Sequence, residues 1–228
     1  IGGAALNPEA EEFFKKIGFR FTVGYGMTEC APLISHAFWD EFKLHSVGKV
    51  LPTMEAKILS NDPQNEVGEI LVRGENVMLG YYKNEEATRL ALDEDGWLHT
   101  GDMGTMDYDG TIYIKGRNKN MLLGPSGQNI YPEEIENKLN NMPFVLESLV
   151  LQNAENKLVA LVVPDYDAMD EAKLTTKDLE LVMEENRKAL NETTAAYESI
   201  TKIQIYPSEF EKTPKKSIKR FLYVNQLK

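Results

Sequence analysis

The sequence predicts an α+β protein in two parts, a β-rich region forming a small barrel or curled sheet and then a compact α+β domain. Three observations predict it. From about Ser46 to Gly116, β-branched and apolar runs alternate with Gly, Asn and Asp, as in short strands joined by tight turns. Beyond residue 120 the pattern changes to alternating strand and helix periods. Hydrophobic residues make up 42% of the 228, enough for a buried core, which excludes a disordered or fibrous chain.

The elements follow in order. Asn7-Pro8, then Glu9, Glu11 and Glu12, then Lys15 and Lys16, read as an N-cap, a first-turn proline and charges matched to the helix dipole, with a stop at Gly18. The run Phe19 to Val23 predicts a strand ending in the turn "GYGMTEC" at 24–30. There the missing Cβ atoms of Gly24 and Gly26 allow backbone to approach a flat or phosphorylated ligand. The Thr28 hydroxyl and Glu29 carboxylate suit a phosphate and its hard divalent cation; the alternative is a plain turn with a solvated Thr-Glu pair. Strands are expected over 56–59, 68–74 and 110–116. After residue 120 a helix is expected over 132–139, strands over 148–152, 158–163 and 200–206, and a long charged helix from Thr176 to about Leu190.

Composition narrows the function. With 25 basic and 36 acidic residues, the net charge of −11 argues against a nucleic-acid or anionic-membrane surface, so an anionic ligand must be met by local basic groups. "EKTPKKSIKRF" at 211–221 supplies five of them in eleven residues. Cys30 is the only cysteine, which excludes an internal disulfide, fits a cytoplasmic location and reads as a small buried hydrophobe. His36, His45 and His99 lack metal-ligand spacing. There is no run of 18 apolar residues and no secretory start, so the chain reads as soluble, and its opening at Ile1 suggests a piece of a longer protein. Asp102, in the Gly-flanked "HTGDMG" turn at 99–104, is placed to accept both hydroxyls of a ribose. His99 beside it reads as a local structural hydrogen bond, and Tyr81, Tyr82 and Trp97 read as packing.

Six stretches in this order resemble the adenylate-forming superfamily, which includes acyl-CoA synthetases and carrier-loading adenylation domains. They are "GGAAL" at 2–6, "GYGMTE" at 24–29, "GEILVRGENVMLGYY" at 68–82, "DGWLHTGD" at 95–102, "GRNKN" at 116–120 and "SGQNIYPEEIE" at 126–136. Within the superfamily the likeness is to long-chain fatty acid–CoA ligases. The resemblance implies that Gly2 and Gly3 lie beside the adenine, that Tyr25 of the Gly24-Tyr25-Gly26 turn stacks on it, and that Thr28 contacts the α-phosphate. It further implies that Glu29 helps hold magnesium, that Asp102 and Arg117 bind the ribose, and that Gly127 lines the pantetheine channel. ATP, magnesium and coenzyme A are the implied cofactors. Residues 1–120 would complete a large AMP-binding domain and 121–228 would form a small mobile lid.

Two positions depart from the family pattern. The hinge aspartate is Asn120 here, and Asn tolerates the left-handed backbone that a hinge needs. Aligning Lys212-Thr213 and Ile218-Lys219-Arg220 with the family's terminal motif puts Ser217 at its catalytic lysine. Lys216 is the favoured substitute and Lys219 the other. The family's Ser/Thr/Gly phosphate loop is absent from these residues, so the chain alone is expected to be inactive and to need the upstream part of its parent. The acyl acceptor, coenzyme A or a carrier protein, stays open, as does membrane contact of the parent. A non-catalytic nucleotide-binding module is the reading from another class.

Overall fold

A computed structural model describes the chain except for residues 4, 5, 215, 216, 227 and 228. It divides into two compact units, Ile1–Lys119 and Asn120–Lys228.

The first unit opens with α1 (Pro8–Lys16), whose N-cap Asn7 accepts from the amides of Glu9 and Ala10. This helix buries an acid: Glu11 is 3% exposed and accepts from the His45 amide at 2.7 Å, while Phe13 and Ile17 stay exposed. β1 (Gly24–Gly26), β2 (Leu33–His36) and β3 (Lys49–Val50) then form a three-stranded antiparallel sheet. The strand expected over 19–23 therefore lies one step later. Its alternating aromatics produce side-chain packing, with Phe21 against Phe14 and Phe42, whereas ladder pairing begins at Gly24, where β2 supplies a partner.

β4 (Met54–Leu59), β5 (Gly68–Gly74), α2 (Glu85–Ala91), β6 (Leu98–Met106) and β7 (Ile112–Arg117) complete the first unit. The four strands form an antiparallel meander in chain order. It is open: among the described residues no strand closes it into a barrel. Its core joins Tyr25, Cys30 and Ile34 to Ile58, Ile70, Val72, Leu98 and Ile112, so the "GYGMTEC" turn packs on the same core as the meander.

In the second unit β8 (Leu122–Leu123) and β9 (Asn129–Ile130) make a short hairpin, followed by α3 (Pro132–Leu139). β10 (Val145–Gln152) pairs antiparallel with β11 (Leu158–Pro164). α4 (Tyr166–Glu171) and α5 (Thr176–Thr193), the latter begun by a Thr175–Asp178 capping box, carry the chain to β12 (Ile200–Ile205), which adds parallel to β11. Every residue of β11 is buried, because the sheet is covered on both faces. Val150, Ala160 and Val162 pack with α3 and α5 residues Ile135, Leu139, Leu179 and Leu190. Leu149, Leu161 and Val163 pack with Phe210 and Tyr223 of the terminal segment.

One buried ion pair fastens that segment. The Arg220 guanidinium bonds Glu136 on α3 and lies 3.8 Å from Glu133 and 3.3 Å from the Val150 carbonyl. Glu136 also accepts from the Val150 amide at 2.6 Å, and burial pushes its carboxyl up to about 7 although Arg220 opposes the shift. Removing the cation leaves a desolvated acid, so Arg220→Met should cost about 3–5 kcal/mol in urea unfolding of the second unit, with much of the loss recovered by adding Glu136→Leu. A change under about 1 kcal/mol for Arg220→Met would mean that the pair does not hold the segment.

Candidate active site

The site is built where β1, β6 and β7 meet, and a bulge shapes it. Along β5, Glu69 pairs with Met103 and Leu71 with His99, so the single residue Ile70 lies opposite the three residues 100–102. A bulge of this kind turns side chains out of their regular alternation. Thr100 closes it, donating to the Ile70 carbonyl at 2.7 Å and accepting from the Asp102 amide at 3.1 Å. Gly101 takes φ +71°, a left-handed backbone that glycine adopts without steric cost.

Asp102 is thereby set between two partners. Its Oδ2 accepts from the Tyr25 hydroxyl at 2.7 Å, and its Oδ1 lies 3.1 Å from Arg117 Nε, the residue directly across the β6–β7 ladder. Asp102 is 6% and Tyr25 8% exposed. Burial first, and the Asp102 charge second, push the Tyr25 phenol far above its ordinary value, so it remains a donor at any physiological pH. A carboxylate has about four lone-pair positions, and each Asp102 oxygen is left with one. Arg117 extends outward with 59% of its side chain exposed, and its remaining guanidinium nitrogens have donors to offer.

The turn between β1 and β2 is as tight as its glycines suggest. A Cβ on Gly26 would come within 2.2 Å of the Pro32 carbonyl oxygen. Thr28, Glu29 and Cys30 form one 3₁₀ turn, with the Thr28 side chain exposed. Cys30 is fully buried, and burial pushes its thiol up to about 11, in keeping with a packing role. Glu29 Oε1 accepts from the Tyr81 hydroxyl at 2.9 Å, which draws Tyr81 from the packing set into the neighbourhood of the site. Sequence reasoning missed that link because it pairs residues 52 apart; the signal was a phenol in a Gly-flanked segment. The amino-terminal glycines adjoin β1: the Gly24 amide donates to the Ile1 carbonyl at 3.0 Å, and a Cβ on Gly2 would sit 3.4 Å from the Gly24 carbonyl oxygen. Gly3 takes φ +91° with open space around it.

The remaining expected residues belong to the second unit. Gly127 closes the β8–β9 loop with φ +83°, its amide donating to the Gly124 carbonyl at 2.9 Å, and a Cβ there would meet nothing within 4 Å. Lys216 lies outside the described residues. Its alternative, Lys219, is engaged by Glu211, and Lys212 by Glu147 at 2.6 Å. Ser217 accepts at its carbonyl from the Thr213 amide at 2.8 Å, and Lys212 forms a β-bridge with Ile218. His99 donates from Nδ1 to Glu69 at 2.9 Å, and Trp97 lies under Lys57 and Arg73.

The β-rich unit thus places a buried acid, an arginine and a phenol around a glycine turn. Comparison with known proteins gives the family: the chain belongs to the AMP-binding enzymes, whose model matches residues 1–82, with the AMP-binding enzyme C-terminal domain matching 120–228. Within that adenylate-forming superfamily its likeness is to the acyl-CoA ligases. It is 31% identical over 238 aligned residues to the long-chain-fatty-acid–CoA ligase FadD15 of Mycobacterium bovis, covering 96% of this chain and 38% of that protein. With the putative acyl-CoA synthetase YngI of Bacillus subtilis the identity is 36%, over 88% of this chain and 36% of the relative. Among solved structures, o-succinylbenzoate CoA synthetase (MenE) from Bacillus subtilis, in complex with its acyl-adenylate intermediate, superposes with a TM-score of 0.80 at 28% identity. That match covers 96% of this chain and 44% of MenE, so the chain spans well under half of each of these proteins.

The Tyr25–Asp102 bond yields a stability prediction. Tyr25→Phe keeps the ring and removes the donor from a nearly buried carboxylate, so unfolding free energy should fall by about 1–3 kcal/mol in denaturant titration. A loss under about 0.5 kcal/mol would show that water replaces the phenol.

Proposed function

We propose that the chain is the carboxy-terminal part of an ATP-dependent acyl-CoA synthetase acting on a fatty acid. The observation that carries the reading is the Asp102 carboxylate, fixed by Tyr25 and Arg117 with one acceptor position left on each oxygen. Paired hydroxyls of a ribose match that acceptor pair, and Arg117 has further donors for the same sugar. A solved complex of MenE holds ATP and a magnesium ion, which supports the same ligands here.

The residues present fit these groups. Among the described residues there is no cluster of three or more His, Cys, Asp or Glu side chains that would cage a metal. A cation at Glu29 would take one protein carboxylate and draw its other ligands from phosphates and water, which suits magnesium. Glu29 has Oε2 to offer while Tyr81 holds Oε1. When bound, magnesium offsets the repulsion between two anions as they react. In this reading Thr28 donates to the α-phosphate, Gly2, Gly3 and Tyr25 border the adenine, and Lys216 steadies the reacting carboxylate. The parent joins the substrate carboxylate to the α-phosphate of ATP with loss of pyrophosphate. The thiol of coenzyme A then displaces AMP to give the thioester. Residues 1–120 complete the AMP-binding domain, 121–228 act as a mobile lid, and Gly127 leaves the pantetheine path open.

The fatty-acid assignment draws on the named long-chain relative, while the MenE match shows that an aromatic acid is activated on the same scaffold. The test is an acid panel given to the full-length protein, read as acid-dependent pyrophosphate exchange and as thioester formation. Long-chain fatty acids should support both, at least tenfold above aromatic acids. Exchange without thioester would favour a carrier-protein acceptor, exchange only with aromatic acids would overturn the substrate class, and AMP binding without exchange would favour a non-catalytic module.

A further inference from the structure

The bulge that carries Asp102 has a second fastening, the Glu69 side chain at the start of β5. Its Oε1 accepts from the Gly101 amide at 3.0 Å and its Oε2 from His99 Nδ1 at 2.9 Å. Only 15% of the Glu69 side chain is exposed, so both bonds lie largely out of water. A carboxylate only accepts, which fixes the His99 tautomer with its proton on Nδ1. Glu69 thus holds the residues on either side of Thr100 in one clamp, and Gly101 is the residue whose φ sets the direction of Asp102.

The regular ladder offers no alternative. Ile70 faces three residues, its carbonyl is taken by the Thr100 hydroxyl, and the Gly101 amide points to a side chain and not to a strand. Without Glu69 that amide loses its partner, and the left-handed turn at Gly101 can relax, taking Asp102 out of line with Tyr25 and Arg117. Displacement of a binding group by a fraction of an ångström suffices to lose alignment. We infer that Glu69 is a positioning residue for the ribose-binding carboxylate, acting through the Gly101 amide with His99 as its brace. This rests on the ribose reading of Asp102 given above.

The inference is tested with the full-length protein by calorimetric titration of AMP and of 2′,3′-dideoxy-AMP, taking the ratio of the two affinities as the readout. A residue that merely stabilises the sheet would weaken both ligands alike and leave the ratio unchanged. Asp102→Ala should abolish the preference for AMP. Glu69→Ala should lower it about tenfold. Glu69→Gln, which keeps an acceptor for Gly101 while His99 changes tautomer, should restore most of it. Glu69→Asp keeps the charge but is one methylene too short for the Gly101 amide, so it should lose the preference as Glu69→Ala does and serves where that variant fails to fold. If Asp102→Ala keeps the preference, the ribose reading itself fails. If Asp102→Ala abolishes it while Glu69→Ala or Glu69→Asp retains the wild-type ratio, the positioning role is overturned.

Discussion

The placement of one carboxylate organises the first unit. Asp102 reaches Tyr25 and Arg117 together only because three residues of β6 face a single residue of β5. A regular ladder would alternate residues 100, 101 and 102 between the two faces of the sheet. The bulge breaks that alternation, and Thr100 and Glu69 satisfy the backbone groups that it frees. Tyr25 enters from the other sheet, on a strand three residues long, and its ring belongs to the core shared by both sheets. The polar node is thus seated on an apolar base, so loss of core packing under Tyr25 would also disturb the site.

Much of this was legible in the sequence, because its signals are local. The strand over 68–74 and the Pro-led helix from Pro132 carry their information within a few residues, and each forms where expected. α2 and α4 escaped notice because each is only two turns or less and lies in a segment rich in turn formers. The predicted strand over 19–23 failed for a different reason: alternation reports side-chain burial, whereas a ladder needs a partner strand, and pairing began at Gly24. The chemistry followed the same division. Asp102 and Arg117 stood out by motif, but Glu69 and Tyr81 act through partners 30 and 52 residues away, which no single-sequence spacing rule reveals.

The second unit solves another problem, how to present a basic segment on an acidic chain. Phe210, Tyr206 and Tyr223 pack as an aromatic cluster against one face of the sheet, and Arg220 is buried against Glu136. Between these anchors Lys212 and Ile218 form an antiparallel bridge. Lys212 and Lys219 are each neutralised by a glutamate. Their charges therefore serve the local structure. Asn120, the first residue of this unit, donates to Glu133 at 2.6 Å, and Glu133 also faces Arg220 at 3.8 Å. The junction and the terminal segment are thus joined through one acid on α3.

The central claim is that nucleotide is held at the bulge, on the carboxylate that Tyr25 and Arg117 orient. Hydrogen–deuterium exchange of the full-length protein with and without AMP tests it directly, because the amides of Gly101 and Asp102 belong to the bulge. Saturating AMP should slow exchange at 99–102 and at 24–26 together, by at least tenfold, as bound nucleotide suppresses local opening of both segments. If AMP binds by calorimetry while exchange at both segments stays unchanged, the nucleotide sits elsewhere and the account is wrong.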